Sequence, residues 1–128
     1  MSKGKRLSPR PQSDCCPPKP ALESRRLIAM NAAGELAAIF KVLANETRLR
    51  MLHAIARSGE LSVSALAETV GMKPQAVSNQ LQRLADRGIL GSRREGTSIY
   101  YRIVDPCVTD LLDRGLCLAE DAKRRGRA

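Results

Sequence analysis

The sequence predicts a mainly α-helical domain closed by one two-stranded β-hairpin, and three observations carry that reading. Apolar residues recur at helical spacing through most of residues 36–118. Residues 89–103 instead hold two short β-prone runs on either side of a Glu-Gly pair. Aromatic residues are only 2% of the 128 (Phe40, Tyr100, Tyr101), so the core must be short helices packed through Leu, Ile, Val and Ala. The length is one domain's worth, too short for two independent cores, and a core this small leaves room for dimerisation as a source of stability.

Each element has its own signals. Leu36, Ile39, Phe40 and Leu43 form the stripe of a first helix, and Leu49, Leu52, Ile55 and Ala56 that of a second. Asn45 between them is a side-chain acceptor placed to cap the second helix, and Gly59 stops it. His53, the single histidine, falls inside that helix beside core residues and reads as structural rather than as a ligand. Ser62 caps a short third helix carrying Val63, Leu66, Ala67 and Val70, and Gly71 closes it. Pro74 suits the first turn of a fourth helix with Val77, Leu81 and Leu84 as its stripe and Gly88 at its end. Residues 89–94 and 97–103 read as strands joined around Glu95-Gly96. Asp105-Pro106 opens a last helix with Val108, Leu111, Leu112, Leu116 and Leu118 as apolar positions.

The ends differ from this middle. Residues 1–21 hold five of the seven prolines and the vicinal pair Cys15-Cys16, a composition that cannot build a packed core and predicts a flexible arm. Residues 22–122 form the folded domain, and residues 123–128 a solvated basic tail. Neither a secretory signal nor an apolar span long enough for a membrane is present, so the chain is expected in the cytoplasm. There, four cysteines are expected as ligands or redox sensors rather than as a disulfide framework.

Charge points to a partner. Lys and Arg number 22 against 13 Asp and Glu, a net charge of +9, which draws a small domain to polyanions and foremost to nucleic acid. The third and fourth helices, joined by Gly71-Met72-Lys73 and followed by a hairpin, make a winged helix-turn-helix. Gln75, Ser78, Asn79 and Gln82 lie opposite the fourth helix's apolar stripe, and their amides and hydroxyl can donate to and accept from base edges in the major groove. Lys73 and Arg83 at its two ends suit phosphates, and Arg93-Arg94 at the hairpin tip suit phosphate or the minor groove. An ordinary exposed helix face carries more Glu and Lys than this one, whose stretch 75–82 is uncharged.

Three segments carry a resemblance: the run from Leu43-Ala44-Asn45-Glu46-Thr47-Arg48 to Leu52, then Ala76-Val77-Ser78-Asn79-Gln80-Leu81, then Gly96 with Tyr100-Tyr101-Arg102-Ile103. Together they resemble the ArsR/SmtB family of metal-responsive repressors over about residues 36–120. The resemblance implies a homodimer paired through its first and last helices. It also implies binding to a partly palindromic double-stranded operator and release when an effector binds. Half-sites would lie about one turn of DNA apart, roughly 34–36 Å.

Family members place their sensing sites differently. A Cys-x-Cys pair before the reading helix is replaced here by serines, in Leu61-Ser62-Val63-Ser64. A site on the last helix has its analogue in Asp105-x-Cys107 and Cys117-x-x-Glu120, with thiols where imidazoles would stand. Ten residues of helix separate those thiols by about 15 Å, so they meet one ion only across a dimer. A third variant uses an N-terminal arm, which Cys15-Cys16 resembles. The simplest completion is a three-thiolate site of Cys15, Cys16 and either Cys107 or Cys117. Thiolates without imidazole favour Hg(II), Cd(II), Pb(II), As(III) or Sb(III), with Zn(II) behind them unless carboxylates join. Mercury or trivalent arsenic ranks first, cadmium or lead next.

Two other functions compete. A redox or sulfide sensor of the same fold would use the thiols without metal. An architectural DNA-binding protein would respond to no effector. An enzyme is not expected, because one histidine inside a helix offers no Cys–His or Ser–His–Asp pairing and no phosphate-binding glycine loop is present.

Overall fold

The computed structural model describes residues 18–127. A single 3₁₀ turn at Leu22–Ser24 precedes helices α1 (Met30–Leu43) and α2 (Glu46–Ser58). A two-residue strand β1 (Leu61–Ser62) leads into α3 (Val63–Val70) and α4 (Pro74–Asp86). Strands β2 (Leu90–Glu95) and β3 (Ser98–Ile103) form the hairpin, and α5 (Pro106–Arg127) ends the chain.

Local chemistry sets most of these limits. Asn45 Oδ1 accepts from the Arg48 amide at 3.0 Å, and Ser62 Oγ accepts from the Ala65 amide at 3.1 Å, so both expected caps are made. Gly71 ends α3 in the left-handed region (φ 73, ψ 37), where a Cβ is unfavourable, and this lets Pro74 open α4 three residues later. The Asp105 carboxylate accepts from the Cys107 amide at 2.9 Å and starts α5 beside Pro106.

The sheet departs from the two-stranded expectation. β1 pairs antiparallel with β3 (Leu61 opposite Tyr101), giving the order β1–β3–β2. The hairpin strands also lie about a residue later than expected, with Gly96 and Thr97 as the turn and Leu90 opposite Ile103. Gly91 lies in close approach: a Cβ there would stand 2.6 Å from Val104 Cγ1, so any larger residue would force Val104 to move. At the other end, α5 continues through the basic residues expected as a tail. Cations in a last helical turn are favoured by the helix dipole, so the composition that suggested a tail also suits a helix end.

The core is formed by Leu43, Met51, Leu52, Ile55, Leu66, Ala67, Val77, Leu81, Leu84, Ile89, Leu90 and Tyr101. It draws chiefly on α2, α3, α4 and the sheet; α1 adds only Leu43 from its last turn, and α5 adds no fully buried residue. Of α1 only Leu43 is buried; Leu36, Ile39 and Phe40 are all exposed by more than 40%. On α5, Val108 and Leu112 pack partly against the core, whereas Leu116 and Leu118 are more than half exposed. Between α1, α2 and α5 lies an apolar groove of about 640 Å³, lined by Phe40, Leu43, Leu49, Leu112, Leu116 and Ala119 among others. His53 lines this groove as an exposed residue, which corrects its expected place beside the core: it neighbours Leu52 in sequence but stands on the outer flank of α2. No helix among the described residues is long and apolar enough to cross a membrane.

Candidate nucleic-acid interface and thiol sites

Helix α4 is pinned from below by Val77, Leu81 and Leu84, all fully buried. Its spacing then leaves Gln75, Asn79, Gln82 and Arg83 exposed on the far side, with Ser78 half-buried at the edge and Lys73 exposed at the N-cap. The six helix residues predicted from sequence therefore lie on or beside one outward face. Gln75 Nε2 donates to Asn79 Oδ1 at 3.2 Å, and Gln82 Nε2 donates to Asp86 Oδ1 at 3.1 Å. The first pairing holds two amides together and leaves Gln75 Oε1 as an acceptor beside Asn79 Nδ2 as a donor. That combination matches the donor and acceptor edge of adenine in the major groove.

The hairpin separates the two arginines that sequence placed together. Side chains alternate along a strand, so Arg93 shares a face with Gly91 and Glu95, and Arg94 shares the other with Leu90. Arg93 is held: Nε and Nη2 each donate to Glu60 at 2.9 Å, Nη1 donates to Glu95 at 2.6 Å, and the guanidinium lies 4.6 Å from the Tyr100 ring centroid. The hydrogen bond from Arg93 holds the Glu60 carboxyl below its ordinary range, and Arg102 adds to the attraction. The same bonds to Glu60 and Glu95 raise the Arg93 guanidinium above its ordinary value. Arg94 is exposed on the opposite face, the one whose base packs on the helices through Leu90. Glu60 is 33 residues from Arg93, which is why sequence spacing gave no sign of this clamp.

Sequence spacing also missed Arg48 as a contact residue. Its Nε donates to Gln80 Oε1 on α4 at 2.7 Å, and its Nη1 donates to the Val42 carbonyl at the end of α1 at 2.9 Å.

The thiols occupy another part of the molecule. Cys107 and Cys117 are both exposed and both on α5, in its first turn and its middle. Asp105 serves Cys107 through the backbone, as the helix cap. The carboxylate beside Cys117 is that of Asp121 one turn on, with Sγ 3.8 Å from Oδ2, rather than that of Glu120; Asp121 in turn pairs with Arg124. Cys15 and Cys16, and with them most of the expected arm, lie outside the described residues. Among the described residues no three His, Cys, Asp or Glu side chains gather closely enough to hold a metal ion. The two exposed thiols stand ten residues apart on one helix, about 15 Å along its axis, too far apart to share an ion within the chain.

A family model described as a helix-turn-helix domain matches residues 43–93. The HTH-type transcriptional regulator NmtR of Mycobacterium tuberculosis is 39% identical over 89 residues, covering 70% of this chain and 73% of that protein. The crystal structure of the AntR antimony-specific transcriptional repressor is similar with a TM-score of 0.73 and 63% identity, over 85% of this chain and 98% of that one. The solution structure of the homodimeric winged helix-turn-helix DNA-binding domain of Mb0332 from Mycobacterium bovis is similar with a TM-score of 0.67 and 34% identity, over 79% and 95% of the two chains.

Proposed function

The chain belongs to the ArsR/SmtB family of metal-responsive winged helix-turn-helix repressors, and from that premise we infer that it pairs with a second copy, reads operator DNA through α4, and lets go when cysteine thiolates capture a soft metal or metalloid ion. The observation that carries this reading is a division of labour between helices. Residues suited to bases project from α4, which its own chain anchors, while the described thiols stand on α5, whose apolar side its own chain leaves uncovered.

Lys73, Gln75, Ser78, Asn79, Gln82 and Arg83 face the major groove in this reading, with Arg94 as the wing's phosphate contact. Arg93, already bound by two carboxylates, shapes the wing instead. The exposed faces of α1 and α5 pack against their copies in the dimer. Cys15, Cys16 and either Cys107 or Cys117 supply a three-thiolate site. The likeness to an antimony-specific repressor supports trivalent metalloids, As(III) and Sb(III), ahead of Hg(II), Cd(II) and Pb(II). Closing such a site would tie the arm to α5 and shift the two reading helices out of register, a coupling of about 1–3 kcal/mol between effector and DNA.

A titration of reduced, metal-free protein with Sb(III), As(III), Hg(II) and Cd(II), followed by thiolate-to-metal absorption and by operator release, tests this. A saturable band near one ion per protomer is expected, lost in Cys15→Ser/Cys16→Ser and in either Cys107→Ser or Cys117→Ser. Proton release separates the ion classes. A neutral trivalent hydroxide exchanging with thiols leaves as water with no net proton, whereas a divalent cation displaces thiol protons into the buffer. No stoichiometric band with any ion would sink the metal reading. Operator release by peroxide or polysulfide in metal-free buffer would then favour a thiol-oxidation sensor.

A further inference from the structure

We propose that Arg48 is a positioning residue that fixes the rotation of the reading helix relative to the anchored end of α1. The proposal rests on the assignment of α4 as the reading helix. The buried stripe of Val77, Leu81 and Leu84 decides which side of α4 faces the core, but apolar contact is non-directional and sets the rotation only coarsely. A planar guanidinium is directional. Arg48 spans three elements at once: its amide is fixed by Asn45 at the start of α2, its Nε reaches Gln80 on α4, and its Nη1 reaches Val42 in the last turn of α1.

The acceptors explain why the fork sits here. The final carbonyls of a helix have no partner within it. In α1, Phe40 O takes the Ala44 amide and Leu43 O takes the Asn45 amide, while Val42 O takes Arg48. A cation at a helix C-terminus also meets the negative end of its dipole. On α4, Gln80 is half-buried on the flank facing α2, one residue from the exposed Asn79, so turning Gln80 turns the reading face with it. The last turn of α1 is the part the chain anchors, with Leu43 buried and Val42 packed against the core, so Val42 O is a fixed point against which Arg48 sets α4.

The experiment measures operator binding by fluorescence anisotropy at several salt concentrations, with and without Sb(III), for full-length Arg48→Ala, Arg48→Lys, Gln80→Ala and the Arg48→Ala/Gln80→Ala pair. Loss of a charge-assisted hydrogen bond is expected to weaken operator affinity about tenfold in each single variant. Lysine should not rescue, since one ammonium cannot serve Gln80 and Val42 together. The pair should be no weaker than Arg48→Ala alone, because both changes break one linkage. The slope of affinity against salt should stay at the wild-type value, since no phosphate contact is removed. Gln80→Ala removes no charge and keeps the result readable if Arg48→Ala fails to fold, as judged by circular dichroism. A reduced salt slope would overturn the proposal by making Arg48 a direct phosphate contact, and additive losses would overturn it by making the two residues independent. Asn79→Ala separates the levels. If it binds operator normally, the reading-helix assignment falls and the relay with it; if it weakens binding while Arg48→Ala and Gln80→Ala do not, the relay alone falls.

Discussion

Helices α4 and α5 are both amphipathic, but only one of them finishes its packing within the chain. The apolar stripe of α4 is fully buried, whereas α5 leaves Leu111, Leu116 and Leu118 exposed beside the equally exposed α1. A helix that reads DNA must hold its side chains at fixed distances from a rigid duplex, and α4, proposed for that role, is anchored in the monomer's own core. A sensor that shifts when its ligand arrives, the role proposed for α5, would sit where packing is left to be completed by a second copy. The pattern of burial thus separates a helix whose packing the chain completes from one whose apolar side it leaves largely exposed.

Substitutions at the two helices should separate accordingly. Leu81→Ala, at a fully buried position, should destabilise the fold by about 2–5 kcal/mol in urea denaturation, by the same amount at any protein concentration. Leu116→Asp should instead leave the monomer folded and shift sedimentation velocity from dimer to monomer, abolishing the concentration dependence of Tm. If Leu116→Asp remains dimeric, the uncovered face of α5 is not the interface. A finer distinction lies within the wing. Arg94→Ala should lower the slope of log affinity against log salt by about 0.9 for each phosphate that is no longer neutralised, while Arg93→Ala should leave that slope unchanged. The reverse result would put Arg93 on the DNA.

The smallest effect concerns acid. The Glu60 carboxyl is held below its ordinary 4.5 by Arg93, so the pair's contribution is complete above that value and is lost as the pH falls through the lowered one. The Tm difference between wild type and Glu60→Gln should therefore be present at neutral pH and vanish once acid takes the pH well below 4.5. It should also be slight, because Arg93 is exposed and Glu60 only half-buried. A difference that persists in acid would mean that Glu60 acts through packing.

Features governed by neighbours along the chain were legible in the sequence. Asn45 and Ser62 cap their helices because a side-chain oxygen three residues ahead of an amide can reach it, and Gly71 with Pro74 marks the turn for equally local reasons. The face of α4 followed from its stripe. Periodicity also identified the apolar side of α1 and α5, yet it cannot say whether the chain itself or a second copy covers that side. Long-range partners left no trace: β1 is two residues long and gains its identity only from Tyr100 and Tyr101, and Glu60 meets Arg93 only once the sheet has formed. For Cys117, the carboxylate at the fourth residue on, Asp121, was available from helix geometry, while the spacing taken from family resemblance pointed to Glu120.

The clamp on Arg93 also gives the hairpin two unlike sides. On one, Arg93 is matched by Glu60 and Glu95, and the surface offers little to a polyanion. On the other, Arg94 is exposed, open to a phosphate in the proposed reading. A strip of positive charge spread evenly over the tip would accept a duplex from either direction, whereas this tip behaves as a key with one cut edge. If Arg94 meets phosphate as proposed, productive encounters would be those in which the duplex arrives already lying along α4, and the wing would act as a filter on approach before any base is read.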